Sequence, residues 1–345
     1  MIGVHHALRL RLDSAALIAN WRWLERVSGT RAGAAVKADG YGLGAREVVR
    51  LLGGAGCRDF FVSSWAEANA LGRLPEGASL SVLHGVGPED IAEALASSAR
   101  PVLNTPTQIA RWKKFAPGRP CDVMVDTGMN RLGLRMEEVH LADGLTIDTL
   151  MSHLACADED SAMNAVQLER FRSVCDGVPA RQRSLANSAG ICLGPDYGFD
   201  LVRPGLALYG GTPRAEAAGQ IAQVAFPEAE VVQRRTVKTG ETMGYGATWR
   251  AECATEAAIL NIGYADGYLR CFAGKGAASF GDARLPLIGR VSMDLVAVDC
   301  SASPRLGEGD WVTLDYGLPE AAEASGLSQY ELLTGLSRRL ERRWS

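Results

Sequence analysis

Lys37 closes a short apolar run, Ala34-Ala35-Val36, and Gly40, Gly42 and Gly44 follow it at alternate positions. A lysine set among apolar residues at a strand end is partly desolvated, which lowers its pKa and suits it to Schiff-base chemistry. A lone strand-end lysine is more often one that snorkels to water, and the glycine pattern matches neither the dinucleotide fingerprint nor the P-loop spacing. Later strand ends add weight. DTGMNRLG delivers Arg131, MSHLACADE delivers His153, NSAG delivers Asn187 and Ser188, and RPGLALYG brings Arg203, Gly205 and Leu206. The Ser188 hydroxyl with the amides of Gly205 and Leu206 would form a phosphate site of the kind barrels build after their last two strands. A lysine, a histidine, two arginines and such a cradle at one end of a fold suggest a Schiff-base cofactor that carries a phosphate, and pyridoxal 5′-phosphate fits that description.

These residues need a scaffold that puts strand ends side by side. Eight short apolar runs recur over the first two-thirds of the chain: 34–38, 59–64, 80–85, 101–104, 121–127, 147–155, 183–188 and 201–210. They are near-continuous rather than alternating, as parallel strands buried on both faces should be. Amphipathic stretches separate them, including 45–54, 64–74 and 161–177, and an earlier one over 13–29. The pattern predicts an α/β fold with an N-terminal (β/α)8 TIM-like barrel over 1–220, a doubly wound open sheet being the alternative. Beyond about residue 220 strand-like segments broken by Gly-rich turns predict a mostly β C-terminal domain over 221–345, ending in one helix from LSQYELLTGLSRRLERRW.

The chain has 345 residues and a net charge of −4, with no basic block, which argues against nucleic acid or an anionic membrane as partner. Glycine, 39 residues, is in excess for a sequence without repeats, which implies many tight turns or close backbone approaches. The cysteines at 57, 121, 156, 175, 192, 253, 271 and 300 show no CxxC spacing and read as small buried hydrophobes in a reducing compartment. The opening MIGVHHALRLRLDS lacks the apolar core of a signal peptide, so a cytoplasmic location is expected.

The ordered set AVKADGYGLGA, DTGMNRLG, SHLACADE, NSAG, RPGLALYG, GYGATW, GYADGY and GRVSMD resembles the alanine racemases, two-domain pyridoxal-phosphate enzymes of the barrel type, over essentially the whole chain. The resemblance implies that Lys37 holds the cofactor and acts as one catalytic base. Tyr245, in GYGATW, would be the second base, reaching a site on the partner subunit of a head-to-tail homodimer. Tyr41, Ser188, Gly205, Leu206 and Tyr264 would hold the phosphate. Arg203 would face the pyridine nitrogen, with His153 linked to it. Arg131, the Met293 backbone and Asp294 would receive the substrate carboxylate. Racemisation takes a proton from one face of a planar carbon and returns one to the other, so two bases are needed. Tyr245 would also need cationic neighbours to work near neutral pH, a role for His153 and Arg203. The activity the resemblance implies is that of an isomerase, serving D-alanine biosynthesis for the cell wall or D-amino-acid catabolism.

Three positions depart from the family pattern. Met124 stands seven residues before Arg131, where a carbamylated lysine often orients that arginine. Leu43 replaces a common histidine. Arg338 falls where many members place a tyrosine at the substrate entrance, which suggests a wider mouth tolerant of serine. Elsewhere plainer readings hold. His84 reads as a hydrogen-bonded structural histidine, His5 and His6 as terminal, and Asp158–Asp160 as a helix cap. The charges in RRLERR read as a solvated helix face or a subunit contact. No metal site is expected, since His153 and Cys156 lack further ligands. A broader-specificity racemase is one alternative. A barrel-type decarboxylase would need a late Cys-Asp pair, and Cys300 precedes Ser301. A non-catalytic cofactor carrier would lack the β domain.

Overall fold

The computed structural model describes residues 5–345, which divide into two compact units, Ala16–Ala222 and the N-terminal residues through Ala15 together with Gln223–Ser345.

In the first unit seven parallel strands pair in chain order: Ala34–Ala35, Asp59–Val62, Ser79–Val82, Arg100–Leu103, Cys121–Met124, Ile147–Met151 and Gln182–Ser184. The eighth, Leu201–Val202, bridges the two edges. On one side it pairs with Arg31–Ala32, and Gly33 N and Ala35 N donate to Val202 O and Pro204 O at 2.9 Å each. On the other, Arg203 N donates to Ala186 O (2.9 Å) and Asp200 N to Arg183 O (3.1 Å), which closes the barrel. The second and fifth strands are buried at all four positions, as strands covered on both faces should be. Helices start on readable caps: Ser64, Thr105 ahead of Pro106, Ser161 and Asn187 each accept a backbone N–H from the first turn. Ser161, rather than the Asp158–Asp160 carboxylates, therefore caps Ala162–Gly177, and Asp160 instead pairs with Arg214 at 2.5 Å.

The barrel interior is apolar at mid-height, where Phe61, Val102, Met124, Met151 and Leu201 pack together. Toward the strand N-termini it turns polar. Asp122 is fully buried and accepts from Ser81 Oγ (2.5 Å), Arg100 Nε (3.0 Å) and Thr149 N (3.0 Å). Arg100 also pairs with Asp148 at 3.0 Å. Arg100→Ala is expected to destabilise the protein by roughly 3–5 kcal/mol in denaturant titrations, because the Asp122 charge is left buried without its counter-ion. A loss below about 1 kcal/mol would contradict this.

The second unit is antiparallel. Ala225–Val237, thirteen residues long, shifts register between Val231 and Gln233. Its first half pairs with Leu8–Leu12 and Trp311–Leu314, its second with Thr255–Leu260. Strands Val296–Asp299, Ala283–Ile288 and Ala277–Phe280 complete a closed ring of six, with Leu8–Leu12 and Glu341–Trp344 added outside it.

Two expectations are corrected. The barrel domain does not begin at the N-terminus: Leu8–Leu12 buries Leu8, Leu10 and Leu12 in the β unit, while Arg9 and Arg11 reach Glu228. The tail is not one helix either. A helix spans only Gln329–Thr334, and Glu341–Trp344 runs parallel to Leu8–Leu12 as a strand. Edge pairing with an existing strand satisfies backbone groups that a short, Arg-rich terminal helix would leave to water. Of the cysteines, Cys57, Cys121 and Cys300 are buried, whereas Cys253 is exposed and the others are half-buried. Among the described residues no helix is long and apolar enough to cross a membrane.

Candidate active site

Lys37 leaves the end of the first barrel strand half-buried, and the backbone turns left-handed immediately after it. Ala38, Asp39 and Gly40 lie at φ 52, 54 and 63°, and Tyr41 follows at φ 56°. Side-chain-bearing residues pay about 1–2 kcal/mol each for this conformation, so surrounding bonds must hold it. Gly40 N donates to Val36 O (2.9 Å), Gly42 N to Ala38 O (2.8 Å) and Gly44 N to Asp39 O (2.8 Å), and the Asp39 carboxylate accepts from Ala45 N (2.9 Å). The turn buries Tyr41, whose ring stacks on Tyr209 with centroids 4.7 Å apart. Leu43 lies fully buried in the same segment. Burial, and then the Arg131 cation, hold the Lys37 ammonium below its ordinary pKa, while Glu67 opposes them. A larger share of Lys37 is thus a free amine, the form that attacks a carbonyl.

Arg203 is buried and faces no carboxylate within ion-pair distance among the described residues. It donates to Ser184 Oγ and Ser152 O at 2.6 Å each. Desolvation draws its pKa down to about 10, which still leaves it protonated near pH 7. His153 is pushed down to about 3 by desolvation and by Arg203, Arg131 and Lys37. It is a neutral ring, and so is not the cation expected to assist Tyr245. Gln167 fixes its backbone, donating to His153 O at 3.0 Å and to Thr127 Oγ1 at 3.2 Å.

The cradle after the last two strands forms from both loops. Ser188 Oγ accepts from Gly205 N (2.9 Å) and Ala207 N (3.2 Å), which ties the loops together and leaves its own proton to donate. Between them the Leu206 N–H meets no protein acceptor among the described residues. The Asn187 side chain caps the Ser188–Cys192 helix through Gly190 N at 2.8 Å, so it orients Ser188. Gly205 is required here, since a Cβ would lie 2.1 Å from Tyr41 Oη. A phosphate-bearing ring with a nitrogen acceptor suits these groups: amide and hydroxyl donors at the cradle, and a buried guanidinium without a counter-ion.

Arg131 is exposed, and no hydrogen-bonding partner meets it among the described residues. Its loop is shaped from beneath. Asp126 Oδ1 accepts from Gly128 N and Met129 N at 2.8 Å each, and Arg170 Nη1 donates to Thr127 O at 3.0 Å. Met124 packs under the loop, its Cγ 3.1 Å from where a Cβ on Gly133 would fall. Loop geometry, with no polar side chain at 124, sets where Arg131 leaves the backbone. His84, expected as a hydrogen-bonded structural histidine, is exposed at the end of the third strand.

The second unit gathers the other site residues. Positive φ at Gly244, Gly246 and Ala247 throws Tyr245 outward, where it is 71% exposed. With Arg290, Ser292 and Leu295 it lines a groove of about 410 Å³. Tyr264 lies in this unit, its N–H donating to Ser292 O at 3.0 Å, with Met293 O accepting from Ala265 N at 3.1 Å. Arg339 bridges Asp294 (2.8 Å) and the buried Asp266 (3.2 Å), so one side chain sets the spacing of the Tyr264 and Met293 loops. Sequence reasoning missed Arg339 because it sits in a run of charges that resembled a solvated face. It missed Glu67 because Ser64-x-x-Glu67 reads simply as a helix start. Among the described residues no group of His, Cys, Asp or Glu is arranged to hold a metal.

Barrels that set a lysine of lowered pKa near a buried, uncompensated guanidinium are suited to carbonyl chemistry, and the first unit is of that class. The family models for the alanine racemase N-terminal and C-terminal domains match residues 12–213 and 209–344. The chain belongs to the alanine racemase family. It is 41% identical to an alanine racemase of Dinoroseobacter shibae, with 97% of each chain covered. It is 42% identical to a catabolic alanine racemase of Agrobacterium fabrum, covering 96% of this chain and 91% of that one. The crystal structure of alanine racemase from Bartonella henselae with covalently bound pyridoxal phosphate superposes with a TM-score of 0.87 at 33% identity, over 99% of this chain and all of that one.

Proposed function

We propose that this protein interconverts L- and D-alanine, with pyridoxal 5′-phosphate held covalently by Lys37 and two bases, Lys37 and Tyr245, working on opposite faces. The observation that carries the reading is the half-buried lysine of lowered pKa in the same barrel mouth as a carboxylate-free Arg203. The cofactor, when bound, supplies an electron sink that makes the α-proton of the amino acid removable. Ser188, Leu206 N–H, Gly205 and Tyr41 would hold its phosphate, with Asn187 orienting Ser188. Arg203 would donate to the ring nitrogen and leave it without a proton, which restrains side reactions such as transamination. His153, neutral and desolvated, would lie beside the ring without adding charge.

Lys37 Nζ would take or return the proton on one face and Tyr245 Oη on the other. Arg131, the Met293 backbone and Asp294 would receive the substrate carboxylate. Tyr245, Met293 and Leu295 are 71%, 54% and 41% exposed, an apolar surface that favours cover by a second copy in a head-to-tail homodimer. Tyr264 belongs with this surface, at the approach to the neighbour's site. The enzyme is read as cytoplasmic.

Exchange of the α-proton of L-alanine in deuterated water tests the proposal. The cofactor-loaded protein should exchange it and form D-alanine, and a yellow, loaded protein that exchanges nothing would overturn the reading. L-serine in the same assay tests the wider entrance inferred from the exposed Arg338.

A further inference from the structure

We propose that Glu67 is a positioning residue for Lys37, its carboxylate pinning the backbone just beyond the lysine to the end of the neighbouring barrel strand. This rests on Lys37 being the cofactor lysine. Glu67 is the third residue of the Trp65–Leu71 helix, behind the Ser64 cap, where a glutamate ordinarily folds back to the cap residue's own N–H. Ser64 Oγ does accept from Glu67 N at 3.3 Å, but the carboxylate goes elsewhere. One oxygen accepts from Ala38 N at 2.8 Å and the other from Ser63 N at 2.6 Å.

Ala38 follows Lys37 and opens the left-handed turn, while Ser63 follows the second barrel strand. One half-buried carboxylate thus joins the C-terminal ends of the first two strands. It also anchors the strained segment where φ first turns positive. Without it the Ala38 N–H loses its acceptor, and Ala38–Tyr41 loses a restraint on the direction in which Lys37 and Tyr41 project. Bonds to a charged acceptor are the stronger kind, so this restraint is substantial.

Glu67 also acts on Lys37 through charge. Three charged or titratable groups bear on Lys37 from the packed elements: Arg131 from the loop after the fifth strand, His153 from the end of the sixth, and Glu67. His153 is neutral above about pH 3, so only Arg131 and Glu67 carry charge through the titration of Lys37. Glu67 favours the ammonium, and its removal should move the midpoint down.

The test compares the parent protein with Glu67→Gln and Glu67→Ala in three measurements. Cofactor-free protein is titrated with pyridoxal 5′-phosphate. Lys37 is labelled with an amine reagent across pH and read by mass spectrometry. Thermal unfolding is followed in parallel. Glu67→Ala should weaken cofactor binding by about tenfold or more. Glu67→Gln, which keeps one acceptor oxygen, should fall between it and the parent. In both variants the labelling midpoint should move to lower pH. Affinities within about twofold of the parent and an unmoved midpoint would overturn the proposal, even if the melting temperature falls, since that outcome describes a purely structural glutamate. Should Glu67→Ala fail to fold, Glu67→Gln alone decides through the midpoint. A parent protein whose cofactor is not attached at Lys37 would instead overturn the underlying reading, so the two failures are separable.

Discussion

Lys37→Ala is expected to abolish covalent retention of the cofactor and to reduce racemisation below detection. Two losses combine. Removing a positioned general base alone costs about 10²–10⁴-fold. Removing the only amine that projects from the left-handed turn also deletes the attachment point. The cradle of Ser188, Leu206 N–H and Tyr41 would survive, as would Arg203, because none of them is held by the lysine side chain. The variant should therefore still bind pyridoxal 5′-phosphate, weakly and reversibly, and lose it on dialysis. Intact-mass measurement after borohydride reduction reads the outcome. A reduced cofactor adduct on the variant would move the attachment to another lysine and remove Lys37 from the mechanism.

Tyr245→Phe should leave cofactor binding intact and act on one face only. The ring and its exposed position are kept while the Oη proton carrier is lost, so the expected loss is about 10²–10⁴-fold in racemisation. Tyr245 lies on a turn set by Gly244 and Gly246, so the phenyl ring should present itself as the phenol did. Exchange with deuterated solvent should fall sharply for the enantiomer that Tyr245 deprotonates. It should persist for the enantiomer deprotonated by Lys37. Equal loss for both enantiomers would break the two-base assignment. A Tyr245→Phe protein mixed with a Lys37→Ala protein should regain part of the activity if the sites are shared between copies, since a mixed dimer holds one site with both bases.

Several features were legible because local spacing carries them. Continuous apolar runs marked the barrel strands, amphipathic stretches marked the helices that follow residues 64 and 161, and Lys37, Arg131, His153 and Arg203 fell at the strand ends the pattern indicated. The alternation Leu8-Arg9-Leu10-Arg11-Leu12 has the period of a strand, yet its partner lies more than two hundred residues away at Ala225–Ala229. Nothing local could assign it to the second unit. The tail illustrates the converse. Its charges suit a helix surface, but pairing with Leu8–Leu12 decides in favour of a strand.

The sequence by itself determined the α/β class, the family, and the residue types available for chemistry, because ordered motifs and hydrophobic periods are properties of neighbours along the chain. Tertiary structure decided the charge states and the supports. His153 stays neutral far below the ordinary imidazole range because burial and three basic side chains converge on it. Arg203 is desolvated yet still protonated near pH 7, and its donors meet Ser184 and Ser152 across the barrel. Glu67, a helix-start residue by its spacing, is drawn to the backbone beside Lys37 because barrel closure brings two strand ends within reach of one carboxylate. Desolvation and contact depend on what lies across space, and that information exists only once the barrel has closed.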